Sequence, residues 1–195
     1  MSLKALHVPT LTLSLAAAAA MALAGCTTTN ATDKGSPMAA KAALILQADS
    51  TLTRLFEAAP TSREMIARAP GVLICPAVVG GSLGVGVEGG RCILRERGAD
   101  AGYYRVSSLS LGFQAGAQSR AMVYVFNARE ALHEFRESNG WTAGANASVS
   151  VASAGANLGG DTNTASQAVV GYVLTNAGLE AGVSMSGAKF TKIEM

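Results

Sequence analysis

This chain is short of charge, histidine and cysteine, and each shortage removes a class of function. Only 14% of its residues are charged, with 15 Lys and Arg against 13 Asp and Glu. A balance this close to neutral argues against broad nucleic-acid binding, which needs a basic surface to neutralise phosphates. There are two histidines and three cysteines, with no CxxC pair and no Cys/His cluster, so a structural zinc site has no ligand set. No two carboxylates stand out as a general acid and base, so no catalytic residue, metal or cofactor is assigned. The apolar run from Val8 to Leu23 is broken by Pro9, Thr10, Thr12 and Ser14. It falls short of the ~20 residues that cross a bilayer as a helix.

What the N-terminus does contain is a secretory pattern: Lys4 with no acidic residue, a short apolar middle, then Leu23-Ala24-Gly25-Cys26. A cysteine directly after Leu-Ala-Gly resembles a bacterial lipoprotein signal. That resemblance implies cleavage before Cys26 and acylation of Cys26, with several acyl chains at ~0.8 kcal/mol per buried CH₂ making a lasting anchor. Thr27, where an aspartate would favour inner-membrane retention, leans toward the outer membrane facing the periplasm. Residues 1–25 are thus expected to be a signal peptide, and 26–36 an acylated cysteine with a small, polar tether. Residues 37–195 form the domain, which is large enough for a core of its own.

Within the domain the hydrophobic period changes. Pro37 opens a helical pattern over Met38–Glu57, with Leu44, Ala48, Leu52, Leu55 and Phe56 on one face, and Pro60 stops it. Thr61-Ser-Arg-Glu64 reads as a capping box for a short helix to about Ala69, and Asn127-Ala-Arg-Glu130 as another for Ala128–Glu137. Twenty of the 22 glycines lie from Gly71 onward, where β patterns take over. Strands are expected at Gly71–Val79, Arg91–Arg97, Tyr103–Ala117, Ser119–Phe126, Ala168–Thr175, Leu179–Met185 and Ala188–Ile193. Gly80–Gly90 reads as turn-rich, Trp141–Gly155 as an alternation of small residues with Val149 and Val151, and Leu158–Ser166 as a polar loop. The sum is an α+β fold: a mainly antiparallel sheet with two N-terminal helices and one inserted helix. Cys75 and Cys92 sit in a compartment that permits disulfides; a bond between them and a pair of buried free thiols both stay open.

Three glycine motifs have plainer readings. Gly80-Gly-Ser82-Leu-Gly84 matches the hydrolase elbow, yet the glycines after Ser82 make a poor helix and His133 is the only histidine left after processing. Gly84-Val-Gly86-Val-Glu-Gly89 lacks the helix that would hold a pyrophosphate. Gly112-Phe-Gln-Ala-Gly116 lies in a strand pattern, not in a membrane helix.

The candidate ligand residues are Arg91, Arg95 and Arg97, which alternation places on one strand face. Guanidinium forks suit phosphate. A charged, solvated edge strand would carry the same pattern. Trp141 and Tyr172 suit a membrane interface or the mouth of a ligand site, as well as a core.

From Arg68 to Gly187 the chain resembles the SYLF domain family. The segments that carry the likeness are Arg68-Ala-Pro-Gly71-Val-Leu-Ile-Cys-Pro76, Leu111-Gly-Phe-Gln114-Ala-Gly116, Met122-Val-Tyr-Val-Phe-Asn127, Gly144-Ala-Asn146-Ala-Ser148-Val, Gly171-Tyr172, and Gly178-Leu-Glu-Ala-Gly182-Val-Ser-Met-Ser-Gly187. The resemblance implies a non-enzymatic lipid-binding module, with phosphoinositide and actin binding in eukaryotes and a secreted lipoprotein in bacteria. The chain departs from the family at Tyr104-Arg-Val-Ser107, at Asn146 and at Thr175-Asn-Ala177. The last of these replaces a basic, serine-bearing stretch, and Met38–Glu57 is not strongly basic like the eukaryotic lipid-binding helix. The expected partners are the membrane, through acylated Cys26, and phospholipid headgroups, with no nucleic acid. The alternative is a periplasmic protein–protein interaction module without a lipid ligand.

Overall fold

The computed structural model describes residues 36–112, 117–152, 167–180 and 185–195, with backbone alone at 82–85, 110–112 and 117. The expected signal and Cys26, the tether before Ser36, residues 113–116 of the Gly112–Gly116 motif, the Leu158–Ser166 loop and residues 181–184 of the expected Leu179–Met185 strand lie outside the described residues.

Helix α1, Pro37–Ala58, starts where proline predicts, because its missing N–H would be unpaired there anyway. Ser36 caps it, its Oγ accepting the Ala39 N–H at 3.2 Å. The buried face is Leu44, Ala48, Thr51 and Leu55; Leu52 and Phe56 are half-buried. Thr51, a polar residue, is accommodated there because its hydroxyl donates to the Gln47 carbonyl at 2.8 Å.

Helices α2, Ser62–Arg68, and α3, Arg129–Glu137, stand where expected, but neither capping box forms. Thr61 has helical dihedrals, φ −65° and ψ −22°, so its side chain is not aimed back at the first turn, and Ser62 Oγ donates to the Ala59 carbonyl instead. Before α3 the cap position falls on Ala128, and Asn127 Nδ2 reaches across to the Gln167 carbonyl. Asn127 ties the start of α3 to the sheet rather than closing the helix.

Among the described residues eight strands form one sheet: β1 Gly71–Glu96, β2 Ala99–Gly112, β3 Ala117–Phe126, β4 Trp141–Thr142, β5 Val149–Val151, β6 Val169–Thr175, β7 Gly178–Leu179 and β8 Lys189–Ile193. Their order is β4-β8-β2-β1-β3-β6-β5, with β7 added beside β6. The α+β class holds, but the sheet is mixed. β5 runs parallel to β6, while the other pairings are antiparallel. The expectation of a mainly antiparallel sheet is corrected at this point. A long connection separates β5 from β6, which frees the pair from hairpin geometry.

The glycine-dense stretch read as turns is part of β1. Residues 71–81 pair with β3, and residues 84–96 pair with β2. The two arms also lie against each other. Cys75 meets Cys92, a Cβ on Gly90 would strike the Ala77 carbonyl, and one on Gly80 would strike the Glu88 side chain. Along these contacts residue numbers rise on one arm as they fall on the other, so β1 doubles back between Gly81 and Gly84. Gly90 is needed there because any side chain would push the arms apart. Arg97 and Gly98, both at positive φ (51° and 82°), make the tight turn into β2, the geometry favoured by the twist of a two-residue hairpin.

Alternation along the strands divides the core in two. Val72, Ile74, Ile93, Val123, Val125, Val170 and Tyr172 face α1 and α2. Leu73, Cys75, Cys92, Leu94, Tyr124 and Phe126 face α3 and the ring cluster of Phe135, Trp141 and Phe190. Where these elements lie against the sheet, helices on one side and α3 with the aromatics on the other exclude water from it.

Candidate functional site

At the end of the sheet where β1 begins, α2, the Arg97-Gly98 turn and the start of α3 enclose a cleft of about 1000 Å³. Its apolar wall comes from Leu52, Ile66, Val72, Ile74 and Leu132. Its polar wall is cationic: Arg68, Arg95, Arg97, Arg129 and Arg136, with His133 and a single acid, Glu96. The combination arises because α2 ends in Arg68, α3 begins with Arg129, and the β1–β2 turn projects between them.

The arginines are not equivalent. Arg95 binds Asp49 of α1 at 2.6 Å and Asp100 of β2 at 3.1 Å. Burial works against its charge, but the hydrogen bonds and charges of the two aspartates outweigh that, and its pKa lies above the ordinary value. Arg136 pairs with Glu96 at 3.3 Å, and Arg68 pairs with Glu64 one turn back. Arg97 and Arg129 form no ion pair among the described residues. They are the two cations of the rim left for an anionic group.

The structure separates the residues that alternation had placed together. Arg91 and Arg95 share the face toward α1, as read. Arg97 does not, since the turn rotates it off the strand. Arg91 lines a smaller hollow of about 250 Å³ with Ala40, Ala43, Leu44, Gln47, Pro76 and Ala77. Trp141 and Tyr172 are buried on opposite faces of the sheet and share no site. Trp141 stacks edge-on against Phe126 and Phe135, and the Tyr172 hydroxyl donates to Met65 Sδ at 3.5 Å. Desolvation pushes the Tyr172 phenol up to about 12, so it stays neutral. The Ser82 side chain is not among those described, but its backbone continues in strand with no helix after it, so no nucleophile elbow forms.

Sequence reasoning missed Arg68, Arg129 and Arg136. Their only local signal is position: each flanks or ends a short helix, where a cation complements the final carbonyls or projects into the adjoining loop.

Residues 107–194 match the family model described as Ysc84, Las17-binding protein actin regulator. Over 129 residues the chain is 30% identical to SH3 domain-containing YSC84-like protein 1 of Bos taurus, covering 64% of this chain and 38% of that protein. It is 31% identical over the same length to the Homo sapiens protein of that name, covering 64% and 37%. The chain therefore spans less than two-fifths of the length of these relatives.

Proposed function

With residues 107–194 belonging to the Ysc84/SYLF domain family, we propose that this chain is a non-enzymatic, lipid-anchored cell-envelope protein whose domain binds phospholipid or another amphiphile. The observation that carries the reading is the cleft beside Arg97 and Arg129. An apolar wall with free guanidinium groups at its rim matches a molecule that has a hydrocarbon part and an anionic head. The anchor reading is supported by Leu23-Ala-Gly-Cys26 after a positive, apolar leader. Thr27 points to the outer membrane, with the domain in the periplasm.

A second reading, a periplasmic protein–protein interaction module with no lipid ligand, draws on the family's description as Las17-binding. Two experiments separate these. Mass spectrometry of the full chain should find acylated Cys26 as the mature N-terminus, and Cys26→Ser should abolish it. Native mass spectrometry of the detergent-extracted chain should find a bound amphiphile, depleted several-fold in Arg97→Gln/Arg129→Gln. An amphiphile-free protein that retains a stoichiometric protein partner would favour the second reading.

A further inference from the structure

Among the described residues, the large apolar side chains left exposed are Met38, Leu46, Val79, Val87 and Leu109, at 51–80% of full exposure. Three of them, Val79, Val87 and Leu109, lie on the sheet. Val87 stands directly opposite Leu109, two steps on Gly89 faces Ser107, and two further steps on Arg91 faces Arg105. With a period of two these positions share the face of Ile93 and Tyr103, which pack beneath α1. Val79 joins that face because its neighbour Val78 points into the opposite core. Along this face α1 passes from Asp49, bound to Arg95, to Lys41 over the Tyr103 ring and Ala40 beside Ala77 and Arg91. Its N-terminus therefore stops short of Val79, Val87 and Leu109, with exposed Met38 in its first turn.

Among the described residues the charges bordering this apolar strip on this face have one sign. Two arginines directly opposed on neighbouring strands repel, which is unfavourable unless an anion sits between them. Neither Arg91 nor Arg105 forms an ion pair among the described residues. Lys189 of β8 lies opposite Ser107 on the same face. The nearest carboxylate along β1, Glu88, points to the other face, where it pairs with Arg120 and accepts from Ser108.

We propose that this end of the domain is a membrane-contact surface. Val79, Val87 and Leu109 enter the interface of an anionic phospholipid bilayer, and the Arg91–Arg105 pair takes a headgroup phosphate. The proposal rests on the reading that the chain is anchored through Cys26. Ser36 begins α1 at this same end, and residues 27–36 can extend at most ~35 Å, so an anchored Cys26 keeps the strip within reach of the bilayer. A second copy is a poorer occupant, since a two-fold contact over the strip would set one arginine pair against another. The cleft beside Arg97 and Arg129 lies at the other end of β1, ~25 Å away along the strand, and stays open to solvent while the strip is docked.

The test uses the full chain carrying Leu109→Trp, reconstituted in phosphatidylglycerol/phosphatidylcholine vesicles with and without brominated acyl chains. The new tryptophan should shift to the blue and be quenched about twofold by the brominated lipid. Trp141 in the parent chain, shielded in the core, should not be quenched. Adding Arg91→Gln and Arg105→Gln should weaken quenching with phosphatidylglycerol at low salt and leave the pure phosphatidylcholine signal unchanged. Val87→Trp repeats the measurement in case Leu109→Trp loses the parent's cooperative melting. Protein that floats with the vesicles but shows no quenching at either position overturns the surface and leaves the anchor standing. Cys26→Ser protein that still floats and is quenched leaves the surface standing without the anchor, and a parent chain whose mass shows an unacylated Cys26 overturns the anchor. A blue shift that grows with protein concentration in the absence of vesicles assigns the strip to a second copy and overturns the proposal.

Discussion

Cys75 and Cys92 face each other across the two arms of β1, their Cα atoms 4.1 Å apart, and are joined by a disulfide shut off from solvent. The bond closes a loop of sequence separation 17 that contains the whole doubled-back, glycine-rich segment. A loop of that size removes about 3 kcal/mol of unfolded-state freedom. The double variant Cys75→Ala/Cys92→Ala should lose about that much in equilibrium guanidinium unfolding. A loss under ~1 kcal/mol would mean that pairing with β2 and β3 holds the arms together without help.

Arg95 is the link between α1 and the β1–β2 hairpin. Its side chain is largely buried, whereas that of Asp49 is 56% exposed, so water screens half of the contact. Arg95→Gln should cost about 1–2 kcal/mol, and a double-mutant cycle with Asp49→Asn should return a coupling of ~0.5–1 kcal/mol. A coupling near zero would assign the whole cost to Asp100 and lost packing.

Phe135 is the one side chain of α3 that meets four other rings, those of Tyr104, Phe126, Trp141 and Phe190, with centroids 4.7–5.9 Å apart. Phe135→Ala should lower stability by about 3–5 kcal/mol and shift Trp141 emission to the red as water reaches the cavity. Leu46→Ala, on the exposed side of α1, should change stability by less than ~0.5 kcal/mol.

Alkaline pH should unfold the domain through its buried tyrosines. Burial raises Tyr172 to about 12 and Tyr124 further still. Both stay neutral in the fold while the unfolded chain ionises near its ordinary value. The unfolded state therefore binds fewer protons above pH ~10, and stability held below that pH is lost as pH climbs toward 12. Thermal midpoints should fall across this window, and Tyr172→Phe should make the fall shallower. The part of the 295 nm absorbance rise that belongs to Tyr124 and Tyr172 should appear only as the protein unfolds.

Helices were the most legible part of the fold. The start of α1 follows from Pro37, its end lies just before Pro60, and its buried face from a 3.6-residue period; all three depend on residues a few positions apart. The positions of α2 and α3 were legible for the same reason, but their caps were not. Whether Thr61 or Asn127 caps a helix depends on one backbone angle, and packing against the sheet decided it. Alternation correctly put Arg91 and Arg95 on one face. It failed at Arg97 because no periodicity announces that Arg97-Gly98 turns the chain.

The sequence by itself determined an α+β domain, the helical segments, most strand cores, the face shared by Arg91 and Arg95, and a likeness to the SYLF family. Tertiary structure alone decided that β1 doubles back, that Cys75 meets Cys92, that β5 runs parallel to β6, and that Arg97 and Arg129 share a cleft. Each of these depends on strand register and on elements distant in sequence. Register is set by burying both sheet faces at once, a constraint that acts on the whole molecule and leaves no mark within any single segment.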